Sequence, residues 1–552
     1  MKLNRYIACI ILLLCGTYAG AQSALQLVQR VADKVIRDTR FSFSRVPRPD
    51  VLGMQVVDLR SLALTPGQQA VAERTFTTDK DGSFMLGISS GIPFSLYQEG
   101  TLLYKQTGGS AVKPYEYAYN RFKFDTVIHV RLKAGSNKFS VNAERTGVAP
   151  VLFFRWITEA GDIDNNVRAA MQPAGWLMTG PVDNPVAYPP PGKNAWQLAP
   201  QVYLAGLDTD SNAAYLRDPY SDWHYSHGAL VWSIQRLGEF LNDTTYTGYG
   251  NRYTDNVLNN LDYFRWQYDS LFAYRGSYHR IFRSSMLDDA GAPALPFFAN
   301  GVDQRNRSLL DTLNAFIMNR QPRLADGIFC RPEPVAYTVW ADDLFMSVPF
   351  LLGMQKLTND DTYGNEAIRQ VLGFARYIRD PQTGLYYHGW FQTTGKPSGV
   401  FWGRANGWVA WAMAELLDNL SPKHPQYKAV LRLYTAHMQS LLRYQDTDGS
   451  WHQVLNKKES YKETSCTALF ALAMARGVRK GWLPASYAVP AKKAWSYVAS
   501  QINEQGVVKG ICQGTEIGED VSFYEKRKTI DNDPRGLGAV ITAGLEIARL
   551  EK

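Results

Sequence analysis

Leu25-Gln26-Leu27-Val28-Gln29-Arg30-Val31-Ala32-Asp33-Lys34-Val35-Ile36-Arg37-Asp38-Thr39-Arg40-Phe41 is the stretch on which the architecture turns. Leu27, Val28, Val31, Val35 and Ile36 recur at three- and four-residue spacing, which reads as an amphipathic helix. From His224 onward the same periodicity predicts eleven more helices, beginning near His227, Thr254, Asp288, Asn306, Ala341, Asn365, Ala405, Tyr427, Ser465, Ala491 and Pro534. Their alternation with Gly- and Trp-rich loops fits an (α/α)6 toroid, which needs twelve, and the Leu25 segment supplies the missing one. Between the first helix and the rest the texture is that of strands. Gly53–Leu59, Gly82–Leu86, Thr126–Leu132 and Val151–Trp156 are β-prone runs, parted by turns such as Asp79-Lys80-Asp81-Gly82 and Ala134-Gly135-Ser136-Asn137. The expected fold is therefore a C-terminal (α/α)6 barrel with an N-terminal β-sandwich, inserted after the first barrel helix. The expected boundaries are 1–21 for a signal peptide, 22–45 for the first helix, 46–200 for the sandwich and a linker, and 201–552 for the barrel. Tyr188-Pro189-Pro190-Pro191-Gly192 marks the linker.

The N-terminus reads as an export leader. Lys2 and Arg5 precede an apolar run from Ile7 to Leu14, too short to span a bilayer, and Ala19-Gly20-Ala21 has the small-residue cleavage pattern. A periplasmic or extracellular protein follows. Leu14 is bulky where a lipobox before Cys15 wants a small residue, so lipidation is the weaker reading. Two of the five cysteines lie in the leader, and Cys330, Cys466 and Cys512 are too few and too scattered for a disulfide framework or a zinc pattern. No later apolar run approaches membrane-spanning length, so no membrane insertion is expected.

Net charge is +8, and +6 once Lys2 and Arg5 are gone, with no basic block long enough to follow a nucleic-acid backbone. A mildly basic surface favours anionic partners, acidic glycans among them. The 14 Trp and 31 Tyr are more than a core of this size calls for, and exposed aromatic faces suit sugar rings. Ordinary core packing is the plainer explanation of them. No metal or cofactor is called for: Asp208 to Asp210 lack the spacing of a calcium loop. Oligomeric state leaves no signal.

Four segments put polar and aromatic residues where a plain helix would not need them. They are Leu287-Asp288-Asp289-Ala290-Gly291, Tyr337-Thr338-Val339-Trp340-Ala341-Asp342-Asp343-Leu344-Phe345-Met346, Gly384-Leu385-Tyr386-Tyr387-His388-Gly389-Trp390, and Phe401-Trp402-Gly403-Arg404-Ala405-Asn406-Gly407-Trp408. An Asp at a helix start is most often a cap, and a lone His or Trp is usually structural. Four such clusters at loop–helix junctions point instead to one end of a helical toroid.

These segments resemble glycoside hydrolase family 105, the unsaturated rhamnogalacturonyl hydrolases, close to the family 88 unsaturated glucuronyl hydrolases. The resemblance runs from about Trp223 through Asp448–Leu455 and Lys462–Ser465 to Asp531–Gly538. It implies removal of a 4,5-unsaturated uronic acid from the non-reducing end of lyase-generated acidic oligosaccharides. In that reaction an Asp protonates the C4=C5 vinyl ether, water adds at C5, and the hemiketal opens to expel the aglycone. Asp342 aligns with the family's proton donor, and Trp340 and Phe345 are expected to keep it protonated by desolvation. The second essential carboxylate falls on Asp288 or Asp289, with Asp343 in support. Tyr225, Arg331, Trp340, His388, Trp402, Arg404 and Trp408 align with or stand near the sugar pocket. Arg404 would fork onto the substrate carboxylate, and Trp402 and Trp408 would stack on sugar faces. There are departures: Arg331 stands where many relatives carry a substrate-contacting His, His452 replaces a common Tyr, and the smallest members lack the sandwich. They leave the aglycone open.

Three other functions compete. An inverting glycosidase would pair Asp342 with Asp289 across a water, a polysaccharide lyase would need a Tyr or His base, and a glycan-binding protein would keep the fold without catalysis. Retention of Asp342 and Arg404 argues against the last.

Overall fold

The computed structural model describes residues 23–43, 45–48, 55–110, 124–146, 150–171, 175–182, 196–199, 202–205, 219–271, 277–299 and 301–552. The leader, the Tyr188–Gly192 linker and Asp208 to Asp210 lie outside the described residues. Contacts divide the chain into a helical unit (Met1–Ser42, Asp218–Trp266, Tyr278–Lys552) and a β unit (Phe43–Arg217, Gln267–Ser277).

The first helix, Ala24–Asp38, belongs to the helical unit, as its stripe requires. Ser23 opens it with a capping box: its hydroxyl accepts from Gln26 N at 3.2 Å, and the Gln26 side chain accepts from Ser23 N at 3.0 Å. Leu27, Val28, Val31 and Val35 are buried, joined by Ala24 and Ala32, whereas Ile36 stays half-buried. This face packs on the last helix, Pro534–Leu550, and on Ala488–Ser500. Gly544 makes the approach possible, since a Cβ there would stand 2.4 Å from Val28. The N-terminal helix thus closes the outer ring.

Six inner elements form a closed circuit in which each packs on the next. They are Tyr225–Leu241, Ala292–Phe298, Asp343–Thr358, Gly403–Asn419, Thr464–Arg479 and Pro534–Leu550, the last returning to the first. Thr244–Ser270, Gln304–Asn319, Asp361–Ile378, Tyr427–Leu442, Ala488–Ser500 and Ala24–Asp38 supply the outer positions. All eleven downstream helices expected from periodicity are present, with two differences. The Asp288 helix is a single turn, Leu287–Ala290, continued as 3-10 helix, because Pro293 and Pro296 each withhold an amide donor. The helix placed at Thr254 begins ten residues earlier, at Thr244. Gly248 and Gly250 look like breakers, yet Gly250 is a contact point: a Cβ there would lie 2.3 Å from Gln235.

The β unit is an antiparallel sandwich. One sheet runs Gln197–Leu198, Leu177–Val182, Gln69–Thr78, Gly135–Glu144, Phe94–Gln98, Thr101–Gln106, with Val167–Ala169 also on Gln69–Thr78. The other runs Gln55–Asp58, Val151–Ile157, Gly82–Ser90, Thr126–Leu132. Phe76, Phe139, Phe154, Trp156 and Trp176 interlock between them, mostly edge to face. Gly135 is a turn residue at φ +89°, as read from sequence, but it also opens a ten-residue strand.

Candidate active site

Every inner element of the barrel delivers chemistry from its first turn or from the few residues before it. Tyr225 opens the first, Asp288 and Asp289 lie on the Leu287–Ala290 turn, and Asp342 and Asp343 begin the third. Trp402 and Arg404 open the fourth, Glu463 caps the fifth, and Asp533 and Arg535 begin the sixth. Alternating inner and outer helices run in opposite directions, so all inner N-termini meet at one end. Their free amides and dipoles make that end favourable to anions.

The opening motif is held by a small sheet. Thr338–Trp340 pairs with Gly389–Phe391, and Ala341 N donates to His388 O at 2.9 Å, which carries His388 alongside Asp342. Gly389 has no room for a side chain: a Cβ would stand 2.1 Å from Ile517 and 2.8 Å from Val339 O. His388 is fully buried, with Nε2 3.2 Å from Asp342 Oδ2 and Nδ1 2.7 Å from the Tyr524 hydroxyl. The Nε2–Oδ2 approach is close but off the line of a good hydrogen bond. Asp342, at the N-cap, spends no oxygen on capping.

Asp288 and Asp289 part company. Asp289 is fully buried and takes Arg280 Nη1 at 3.1 Å, Arg283 Nη2 at 2.7 Å, and the amide and hydroxyl of Ser285 at 3.0 Å each. Burial acts to raise this carboxyl, but Arg283 and Arg280 outweigh it and hold it well below the ordinary range. Asp289 has no face to offer a substrate, so the geometry does not support the catalytic place allowed for it, nor the Asp342–Asp289 pair of an inverting mechanism. Asp288 keeps a partly open carboxylate and meets Arg331 Nη2 at 2.8 Å.

Arg331 differs from the substrate contact expected of it. Its side chain is 2% exposed and bridges Asp288 and Asp343, with Nη2 2.7 Å and Nε 3.0–3.1 Å from Asp343. Trp340 covers it, the guanidinium carbon lying 4.1 Å from the ring centroid. Two carboxylates share this cation in a dry site, so Asp288 and Asp343 are both pushed upward, chiefly by burial. Asp342 goes the other way. Burial acts to raise it, but His388 and the charges of Arg331 and Arg404 hold it below the ordinary carboxylate value. The expectation that an apolar setting keeps Asp342 protonated is thus corrected: the elevated carboxyls of the ligand-free site are its neighbours.

The tryptophans also differ from expectation. Trp402 and Trp408 are each 1% exposed. Trp408 stacks between Phe345 (4.7 Å) and Trp411 (5.9 Å), and Trp402 carries Arg404 at 4.6 Å and His388 at 4.6 Å. Neither has a free face for a sugar. What they retain is an indole N–H: among the described residues Nε1 of both, Nε of Arg404 and Nε of Arg535 are buried donors with no acceptor, as are Trp156 Nε1 and Trp176 Nε1 in the sandwich core. The four in the barrel lie in the first two turns of inner helices or at their caps, where an incoming ligand would supply acceptors. Arg404 is less free than a forked clamp requires, because its two terminal nitrogens already donate to the carbonyls of Cys512 and Gln513. Tyr225 is half-buried and feels Arg535 and Arg404 together with Asp288 and Asp342, which places it among them all. Arg535 and Tyr524 were not singled out from sequence. Arg535 was legible as a cation in the first turn of a helix capped by Asp533, whereas nothing local marks Tyr524. Among the described residues no three His, Cys, Asp or Glu side chains are grouped to hold a metal, and no helix is long and apolar enough to cross a membrane.

The arrangement is a cluster of carboxylates and hydrogen-bond donors at one end of a helical toroid. The sequence model of Glycosyl Hydrolase Family 88 matches residues 208–551. This chain belongs to that family. It is a family 88 glycosyl hydrolase on an (α/α)6 barrel that also carries a β-sandwich. It is 28% identical over 243 residues to the unsaturated rhamnogalacturonyl hydrolase YesR of Bacillus subtilis (strain 168), covering 43% of this chain and 69% of that one. To an unsaturated 3S-rhamnoglycuronyl hydrolase of Alteromonas sp. (strain LOR) it is 29% identical over 216 residues, 38% of this chain and 50% of the relative. A solved family 105 glycoside hydrolase from C. acetobutylicum ATCC 824 shares the barrel fold, with a TM-score of 0.53 at 23% identity, over 62% of this chain and 98% of that one.

Proposed function

We propose that this hydrolase, of the family 105 type, removes a 4,5-unsaturated glucuronyl or galacturonyl residue from the non-reducing end of acidic oligosaccharides. The carrying observation is Asp342: a partly open carboxylate with no capping duty, beside His388 and at the end of the barrel that holds the unsatisfied donors. In the proposed reaction Asp342, protonated, gives its proton to C4 and water adds its hydroxyl at C5. The C5 hemiketal then opens to a ketone, and the freed hemiacetal at C1 releases the aglycone as an alcohol. The water's second proton returns to Asp342, so the carboxyl ends as it began. The orphan N–H groups of Trp402, Trp408, Arg404 and Arg535 are assigned to the uronate and its hydroxyls, and an incoming carboxylate would push Asp342 toward its acid form. Asp288, bridged by Arg331, is assigned as the second carboxylate. Export through residues 1–21, to the periplasm, is proposed on the leader pattern alone. The test is incubation with unsaturated disaccharides and with their saturated counterparts. Loss of ultraviolet absorbance from the former and no cleavage of the latter is expected; cleavage of saturated glycosides or creation of the chromophore would replace this reading.

Expectations of two kinds follow from the carboxylates, the first from substitution. Asp288→Asn should lower kcat on the order of 100-fold while leaving the fold intact, since it relieves like charge beside Asp343. Asp289→Asn should instead cost on the order of 3 kcal/mol of stability, because Arg280 and Arg283 lose their anion. Urea unfolding and steady-state rates on both variants separate the roles. The second expectation concerns pH. The free enzyme's Asp342 is held low, so its acid form is a minority at neutral pH. kcat/KM should therefore rise about tenfold per unit as pH falls from 8 toward 5. Asp289, also depressed, contributes stability that is present above its unfolded value and lost as pH falls below about 4. A rate that climbs with pH would remove Asp342 as the acid.

A further inference from the structure

We infer that Tyr524 is a positioning residue that sets the tautomer of His388, and through it the ionised, aimed form of Asp342. The inference rests on the reading of Asp342 as proton donor only for its kinetic consequence.

Tyr524 lies on the short helix Val521–Glu525, between the paired strands Ile511–Cys512 and Thr529–Ile530. Asp520 caps that turn, accepting from Phe523 N at 2.9 Å, and Gln453 Nε2 ties the Tyr524 carbonyl at 2.8 Å. The side chain is fully buried. Its oxygen accepts the amide of Gly518 at 3.0 Å, so its proton has two places to go: His388 Nδ1 at 2.7 Å or the Gly518 carbonyl at 3.4 Å. The shorter, ring-directed bond wins. Nδ1 is then the acceptor, the imidazole proton sits on Nε2, and Nε2 is 3.2 Å from Asp342 Oδ2. The other tautomer would set the Nε2 lone pair against the carboxylate, and it suits only a protonated Asp342.

The surroundings are consistent with this. Burial keeps the His388 ring neutral, its pull downward exceeding the opposing pull of Asp342, while Arg331 and Arg404 add to it. Burial pushes the Tyr524 phenol far above its ordinary value, so it remains a neutral donor throughout the working range. The charged groups bearing on the trio are Arg331 and Arg404, which favour ionised Asp342, Asp288 and Asp343, which oppose it, and Asp520 and Arg527 on the Tyr524 side.

The experiment uses full-length protein labelled with 15N-histidine, together with pH profiles on an unsaturated disaccharide. In the wild type the His388 resonances, assigned by their loss in His388→Asn, should show Nε2 protonated and Nδ1 bare. In Tyr524→Phe that preference should weaken, with Nδ1 protonation becoming detectable, and the high-pH limb of kcat/KM should move up on the order of one pH unit. In a His388→Asn background the Tyr524→Phe change should leave the limb in place. A wild-type His388 protonated on Nδ1, an unmoved limb in Tyr524→Phe, or a shift that persists without His388 would each overturn the inference. Should Asp342→Asn prove fully active, the proposed reaction fails, but the nitrogen spectrum still decides the tautomer by itself.

Discussion

Asp342→Asn lowers kcat by about two to four orders of magnitude, the usual worth of a positioned general acid, or about 2.7–5.4 kcal/mol of barrier. The amide keeps the size of the carboxyl and can still meet His388, so KM is expected to hold within a few-fold. Stability should fall modestly. The folded protein holds the Asp342 carboxyl below its ordinary value, so folding favours its anion and a neutral amide forgoes that gain. The loss is offset in part because the Asp342 charge is one of those that push Asp288 and Asp343 upward. The expected signature is a dead enzyme that still unfolds cooperatively at a slightly lowered melting temperature, measured by chromophore loss and circular dichroism on one preparation. Retained turnover would refute the assignment; a collapsed fold would mean that Asp342 is structural.

Arg476→Met should carry the largest stability effect outside the site, about 3–5 kcal/mol. Arg476 is 1% exposed, on the inner helix Thr464–Arg479, and it bridges Glu415 at 2.7 Å and Glu546 at 3.1 Å. Both glutamates are buried and held well inside their charged range: burial opposes ionisation, and the arginines around them overcome it. Arg236 also pairs with Glu415, and Arg479 and Arg549 with Glu546, so the network spans four inner helices. Methionine fills the volume but leaves two buried anions sharing fewer cations. The network gathers toward the C-terminal ends of the inner helices, away from the Asp342 end, so kcat at a permissive temperature should be nearly unchanged. Denaturation followed at the helical signal gives the loss. Adding Glu415→Gln and Glu546→Gln should recover part of it, since uncompensated charge is the cause. A loss under about 1 kcal/mol would show that the remaining arginines suffice.

Much of the barrel was legible because helices that bury one face must repeat every three to four residues. The Leu27–Val35 stripe is the clearest case, since an amphipathic segment ahead of a β-rich stretch has to be covered by something, and the only incomplete ring was the helical one. The helix read as starting near Thr254 begins at Thr244, and Gly250 inside it admits Gln235, a packing role that apolar spacing does not reveal. The sandwich was read from its most apolar strands, whereas Gln69–Thr78 and Gly135–Glu144 were missed because their polar residues interrupt the pattern.

The candidate site divides along the same line. By itself the sequence determined which residue types gather, since three of the four motifs sit at or just before an inner element and a toroid brings those starts together, while His388 arrives just ahead of the strand Gly389–Phe391. It also placed Asp342 at the head of its helix. It could not choose between Asp288 and Asp289, because neighbours on a turn point about 100° apart and only the packed surroundings say which faces the cluster. Nor could it show that Trp402 and Trp408 present an N–H edge rather than a ring face, or that Arg331 is spent on two carboxylates. The protonation pattern and the Tyr524–His388 link belong wholly to the tertiary structure. Burial and charge add up over space, and the 136 residues between Tyr524 and His388 are closed to 2.7 Å only by folding.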